Sequence, residues 1–383
     1  MKFLINTITD WDEPPRARHQ IARALSDKYP VVFVSGNRIG IPGFKSLLIG
    51  KNLEVIIPYF PIQVKLRIRI PALNKLYQKW LYNFLLEKYK NHIVINFDFT
   101  AKYLHDYFHR TIYYCNDDHI GMSYKFNPKF VADYQKNTEK MIAQKSVFCV
   151  ATSEYLKNKL IQYNKNVFEI KLGAPDIENI KTDTTIQRKE KIHVGFVGFL
   201  QTADINLLRN IINNKEFLFT LIGPIGKKDI EKLIQHKNIK LTGKLTGQLL
   251  YDEVNKFDVG IIPYSLSSEI DRTPNKLWLY LALGKPVVIS NISGIKNWIF
   301  PEKFVYKANN AAEFKDYILM AYTDNNQSLA EQRIQFAKNN TWGNRMDQLI
   351  KILETFQLDK ITENQAVHNQ GSNTKFNSDE KSE

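Results

Sequence analysis

Short apolar runs of strand length recur along this chain with helix-patterned segments between most of them, and they do so in two series. The first series occupies residues 3–8, 31–34, 55–57, 93–96, 112–115 and 147–151, with helical patterns at 15–28 and 128–144 among the segments between. The second restarts after a polar, strand-poor stretch at 180–189 and runs through 192–197, 217–222, 239–242, 259–262 and 286–289. Alternation of this kind argues for parallel sheets flanked by helices, because a strand covered on both faces is apolar throughout. At 383 residues the chain exceeds what one core organises. Two Rossmann-like domains are expected, divided near residue 185, with the cleft between them as the default ligand site.

Composition narrows the class. Apolar residues make up 44% and charged residues 24%, as in an ordinary globular protein. No apolar run approaches the length of a transmembrane helix, and the first ten residues lack the basic and apolar segments of a signal peptide, so a cytoplasmic protein is expected. Cys115 and Cys149 lie far apart without Cys-x-x-Cys spacing and read as buried thiols. The formal charge of +14 favours anionic partners such as phosphate donors, acidic glycans, nucleic acid or an anionic membrane, without choosing among them. Residues 359–383 are rich in Asn, Gln, Ser and charge, and disorder is expected there.

Residues 272–290 read as a polar loop, a short helix, a Gly-Lys-Pro turn and a buried strand. Asn275 and Lys276 fall at the helix start, where unpaired N–H groups and the positive dipole end favour an anion, and Arg272 adds a second cation. A diphosphate suits that layout. The competing reading is a helix that simply buries Leu277, Tyr280, Leu281 and Leu283, ended by Gly284, with solvated cations.

The whole string resembles the donor-binding segment of glycosyltransferases with the GT-B fold, which runs Pro-x-Lys-Leu-x-Glu-Tyr-Leu-Ala-x-Gly-Lys-Pro-Val-Val in many bacterial members. Here Leu279 stands at the acidic position. Similarity continues at Gly195-Phe196-Val197-Gly198, at Leu221-Ile222-Gly223-Pro224 and at Leu241-Thr242-Gly243-Lys244. In the first half, Thr111-Ile112-Tyr113-Tyr114-Cys115-Asn116-Asp117-Asp118-His119 and Ala151-Thr152-Ser153-Glu154-Tyr155-Leu156 resemble bacterial glycosyltransferases that build teichuronic acid and related cell-surface polysaccharides. So does Thr9-Asp10-Trp11-Asp12 with Arg16, Arg18 and His19. The pieces span about residues 1 to 350.

The resemblance implies an α/β protein of GT-B architecture, with an acceptor domain at 1–184 and a nucleotide-sugar domain at 185–340. A helix at 341–358 crosses back onto the first domain, a packing that Phe336 and Trp342 suit, with Thr341 as a cap. The donor side is implied to comprise Gly198, Gly223, Gly243, Asp271, Arg272, Thr273, Asn275 and Lys276. The acceptor side comprises Trp11, Arg16 and Arg18. Asp117 or Asp118, beyond a strand's carboxyl end, is the expected base that takes the proton of an attacking hydroxyl, with His19 assisting. Each has a plainer alternative: tight turns for the glycines, capping for the Asp pair, a structural role for His19 and a solvated basic face for the arginines.

The chain departs from the family at Leu279. Retaining members carry two glutamates eight apart, and only Asp271 stands here, so an inverting displacement is expected. No metal and no cofactor are expected beyond the nucleoside diphosphate sugar, with uridine as the base, because Arg272, Lys276 and the helix dipole can stabilise a leaving diphosphate.

Residues 65–90 hold seven Lys or Arg against Glu87 alone, and Leu73, Leu76, Tyr77, Trp80 and Phe84 share one helical face. That pattern suits either an anionic membrane surface presenting a lipid-linked acceptor or a core helix with a basic back. The expected protein is thus a hexosyltransferase of cell-envelope polysaccharide synthesis, peripheral at the inner face of the plasma membrane. The alternatives are a non-catalytic polysaccharide-assembly or anionic-polymer-binding protein, or a sugar-nucleotide epimerase of the same fold. No recognition motif supports nucleic acid.

Overall fold

The computed structural model describes residues 1–176, 182, 184, 186, 189–224, 236–266 and 273–358. The first domain is built on strands β1 (Phe3–Asn6), β2 (Val31–Val34), β3 (Arg38–Ile39), β4 (Gly43–Ile49), β5 (Leu53–Phe60), β6 (Ile93–Asn96), β7 (Thr111–Cys115), β8 (Cys149–Ala151) and β9 (Val167–Glu169). Their order is β3-β5-β2-β1-β6-β7-β8-β9, parallel throughout, with β4 antiparallel on β5. Around the sheet lie α1 (Ala17–Ser26), α2 (Val64–Arg67), α3 (Pro71–Tyr89), α4 (His119–Phe126), α5 (Lys129–Lys145) and α6 (Glu154–Ile161).

The second sheet contains β10 (Ile192–Val197), β11 (Phe217–Ile222), β12 (Ile239–Gly243), β13 (Val259–Ile262), β14 (Val287–Ser290) and β15 (Val305–Ala308), all parallel in the order β12-β11-β10-β13-β14-β15. With it are α7 (Ile205–Ile212), α8 (Gly247–Asn255), α9 (Asn275–Ala282), α10 (Ser293–Lys296), α11 (Ala311–Asp324), α12 (Gln327–Lys338) and α13 (Trp342–Thr355). In each sheet the first strand is central, and the chain winds outward first to one side and then to the other. The strand order therefore reverses beside β1 and beside β10, and a crevice opens at their carboxyl ends.

α13 returns to the first domain. The Thr341 side chain accepts from the Asn344 N–H, and Met346, Leu349 and Leu353 join Ile21, Leu25 and Phe148 in one buried cluster. An ion pair between Lys28 and Asp347 at 2.7 Å closes the edge. Ala174 donates to the Asn340 carbonyl at 2.8 Å, and Trp342 donates to the Ala174 carbonyl at 3.2 Å, so both connections between the domains touch where they cross. Trp342 packs at this crossing as expected. Phe336 does not: it stacks on Trp278 at 5.8 Å and meets Phe304 inside the second domain.

Several elements carry little sequence signal. The hairpin strand β4 is largely exposed, and β3, β9 and β15 are short or only partly buried, so none makes a continuous apolar run. β4 also bears on the two readings of 65–90 and favours the core helix. Tyr77 is buried, and Trp80 and Phe84 stack on Phe44 of β4 at 4.2 and 3.7 Å, so the aromatic face of α3 is a core face. Both cysteines are buried and free. Among the described residues no helix is long and apolar enough to cross a membrane. The tail at 359–383 lies outside the described residues.

Candidate functional site

Gly198, Gly223 and Gly243 lie side by side where β10, β11 and β12 end. The Gly198 N–H donates to the Ile222 carbonyl and the Gly223 N–H to the Gly243 carbonyl, each at 2.8 Å. Gly198 has φ +133° and Gly223 φ +144°, which other residues adopt only under strain. A Cβ on Gly223 would sit 1.9 Å from the Gly198 carbonyl oxygen, and a Cβ on Gly198 only 2.5 Å from Lys276 Nζ. Absence of a side chain at 198 thus lets Lys276 lie over the strand ends, its Nζ 4.0 Å from the Phe196 ring centre and 5.1 Å from that of Tyr264.

α9 holds Lys276 in place. Its buried face runs from Leu277 to Ala282, and the Tyr280 hydroxyl accepts from the Val197 N–H at 2.8 Å, tying the helix to β10. The N-cap is Pro274, with no side-chain cap, and the Leu277 N–H donates to the Pro274 carbonyl at 3.2 Å. Asn275 is exposed there, and Thr273 lines the cleft with its Oγ1 unpartnered. Leu279 is buried, so the acidic position is given over to packing. Asp271 and Arg272 lie outside the described residues.

Between the domains is a cleft of about 620 Å³, lined by Thr9, Asp10, Arg16, Arg18, Asp117 and His119 among others on one wall, and by Thr202, Tyr264 and Thr273 on the other. Asp117 stands just past β7, its carboxylate accepting from the Asn116 amide. Asp118, by contrast, is buried: its Oδ1 accepts from the Gly121 N–H at 3.1 Å to cap α4 and pairs with Lys159 at 3.3 Å, which also pairs with Glu139 at 2.7 Å. Its geometry is that of the capping alternative.

His19 is likewise turned to structure. Its Nδ1 accepts from the Arg16 N–H at 3.0 Å, its Nε2 lies 3.2 Å from the Asp10 carbonyl, and its ring stacks on Phe33. Burial pushes its pKa down to about 4, so it is neutral. Trp11 packs on Phe33 and His19 and does not line the cleft. Asp10 is held by both nitrogens of a bidentate Arg38 at 2.8 Å, which lowers its pKa. Arg16 is exposed and paired with Glu13 at 2.6 Å.

Arg18 is buried, donating from Nη1 to Thr7 Oγ1 at 3.3 Å, and burial pushes its pKa down to about 10. His119 was quoted in the motif but not singled out. It stacks on Phe99 at 4.7 Å, its Nε2 is buried without a partner, and burial pushes its pKa down to about 3. A histidine directly after an Asp pair was the available signal.

Comparison with known proteins bears on these two walls. Residues 192–324 match the family described as Glycosyl transferases group 1. The matched segment is about a third of the chain, and in it the second domain is similar to group 1 glycosyltransferases. A Bacillus subtilis (strain 168) protein, TuaH, assigned as a glycosyltransferase of teichuronic acid biosynthesis, is 24% identical over 241 residues, covering 56% of this chain. The match spans 59% of that relative's length.

Solved structures extend the likeness beyond the transferase domain. A sucrose-phosphate synthase of Thermosynechococcus elongatus superposes with a TM-score of 0.68 at 14% identity, over 92% of this chain and 98% of its own. A UDP-forming trehalose-phosphate synthase of Burkholderia xenovorans does so with 0.69 at 9% identity, over 92% and 100%. At such identities these show the fold, and the fold is GT-B. The first and second domains face each other across the cleft in the same arrangement.

Proposed function

We propose that the protein transfers a sugar from a nucleoside diphosphate donor to a hydroxyl of a cell-surface glycan. The observation that carries this is Lys276 in the first turn of α9, whose N-cap gives no side-chain cap, with its Nζ over Gly198 at the end of the row of three glycines, in the segment similar to group 1 glycosyltransferases. The UDP-forming activity in the Burkholderia xenovorans protein's name supports uridine as the base, and the name of the Bacillus subtilis relative supports an envelope polysaccharide as acceptor. Asp117 takes the acceptor's proton as its hydroxyl attacks the anomeric carbon and the C–O bond to the diphosphate breaks. Lys276 and the α9 dipole stabilise the leaving diphosphate in place of a metal, and the displacement inverts the anomeric centre. Loss of transfer with chelator and its return with manganese overturn the metal-free step, and a retained anomer overturns inversion.

The acceptor reaches the cleft from an anionic membrane surface. Support comes from the rim of the first domain, where Ile41 is 91% and Phe130 74% exposed, and where Leu66, Ile70 and Phe126 are exposed as well. These belong together: Asn37 links the β3 end to Ile62 and Arg67, and Gln135 of α5 donates to the Ile68 carbonyl at 3.1 Å. Residues 28–86 contain a single acidic residue, Glu54, against nine Lys or Arg. Apolar side chains amid a local excess of cations suit the interface of an anionic bilayer.

Calorimetric titration of the purified protein with a panel of nucleoside diphosphate sugars tests the donor site. Selective binding of one donor, weakened at least about tenfold by Lys276→Ala, which is about 1.4 kcal/mol, is expected. Equal binding by wild type and variant removes the donor site from α9.

A further inference from the structure

Arg18 is a buried cation that forms no ion pair among the described residues. It is 3% exposed, makes its one side-chain hydrogen bond to the neutral Thr7, and leaves its Nε unpartnered. The carboxylates that act on it electrostatically are Asp117, Glu13 and Asp98, opposed by Arg16. None forms an ion pair with it, and two are engaged elsewhere: Glu13 with Arg16, and Asp98 with the Thr100 N–H and hydroxyl at 2.8 and 2.6 Å. Asp10 is likewise taken by Arg38. A guanidinium buried at a cleft and left so poorly compensated is stable only at a cost, and such costs are retained where a ligand supplies the missing charge.

A second feature converges on the same spot. Arg18 lies in the first turn of α1, a ten-residue helix with no acidic side chain in that turn, so the positive end of the helix and the guanidinium face the cleft together. The site stands on the Asp117 wall, whereas the donor diphosphate is assigned to Lys276 on the other. We propose that Arg18 and the first turn of α1 form a receptor for a carboxylate or phosphate on the acceptor sugar, so that the glycan residue entering the cleft is acidic. The assignment rests on the transferase reading for the word acceptor, but the anion site itself stands on the geometry of Arg18. His119, with an unpartnered Nε2 in the same wall, supplies a further hydrogen-bonding group for that sugar.

The test compares glucuronate, glucose 6-phosphate and neutral glucose as probes, at matched ionic strength, by thermal unfolding and calorimetry. Uridine diphosphate is the donor-side control, and Arg18→Met and Arg18→Lys are the variants. Wild type is expected to gain unfolding temperature with at least one acidic probe and not with glucose. Arg18→Met, relieved of a buried charge, is expected to unfold at a higher temperature than wild type without ligand, to lose the acidic-probe response and to keep uridine diphosphate binding. Arg18→Lys, which lacks the planar fork, is expected to bind the acidic probe at least about tenfold more weakly, and it carries the test if the Met variant does not fold. An unchanged acidic-probe response in both variants, or equal responses to glucose and glucuronate, overturns the site. Loss of uridine diphosphate binding in the Arg18 variants moves the anion to the donor and overturns the acceptor assignment. If wild type binds no uridine diphosphate while the acidic-probe difference persists, the donor reading fails and the anion site survives.

Discussion

Two adjacent aspartates with the same chemistry have different places in this protein because one faces the cleft and the other faces Lys159. Asp117→Asn is expected to lower turnover by about 100-fold or more while leaving donor affinity unchanged, the pattern for a general base. Asp118→Asn keeps an oxygen that can cap α4 but removes the charge that faces Lys159 and leaves Lys159 and Glu139 unbalanced, so its expected signature is a lower unfolding temperature with donor binding kept. Equal kinetic damage from both, without a stability difference, removes the distinction. Sequence placed both residues beyond a strand end, and that was correct for β7. Which of the two turned inward depended on Lys159 and Glu139, residues 41 and 21 positions away, and no local pattern reveals such a pairing. The orientation of His19 is hidden from sequence for the same reason: its partners are backbone groups of Arg16 and Asp10, which carry no side-chain signature.

At the scale of elements, the strands legible from sequence were those buried on both faces. β2, β6, β10, β11 and β13 fall on the apolar runs residue for residue, because a central parallel strand must be apolar throughout. Edge strands escape that rule, and missing β4 had a consequence: without Phe44 to cover it, the face of α3 looked like a membrane face. Exposed apolar side chains cluster instead on the tip between β3 and β4, at Ile41, and around the α4–α5 turn, at Phe126 and Phe130. Ile41→Ser combined with Phe130→Ser is expected to cut co-sedimentation with phosphatidylglycerol vesicles severalfold and to leave soluble donor binding intact. Wild type that binds neutral and anionic vesicles alike, or a variant that sediments as wild type does, discards the rim as a membrane surface.

Across the whole molecule, one buried and three half-buried histidines set a common acid limit. Burial, the largest cause in each case, pushes His19, His92 and His105 down to about 4 and His119 to about 3, against about 6.5 in an unfolded chain. Below about pH 6.5 the unfolded chain binds protons that the folded one refuses. Stability present above that pH is therefore lost as the pH falls toward 4. Unfolding temperature is expected to drop between pH 7 and pH 5, with a shallower drop in His19→Asn, and a flat profile would show that these rings are not held neutral.

The touching chain crossings at Ala174 and Thr341 carry a mechanical consequence. Two bodies joined by one strap can tumble about it in any direction, but here the outgoing and returning straps are hydrogen-bonded to each other at a single point. A rotation about that crossing keeps both hydrogen bonds, whereas sliding the domains past each other breaks them, so closing the cleft about it would bring Lys276 toward Asp117.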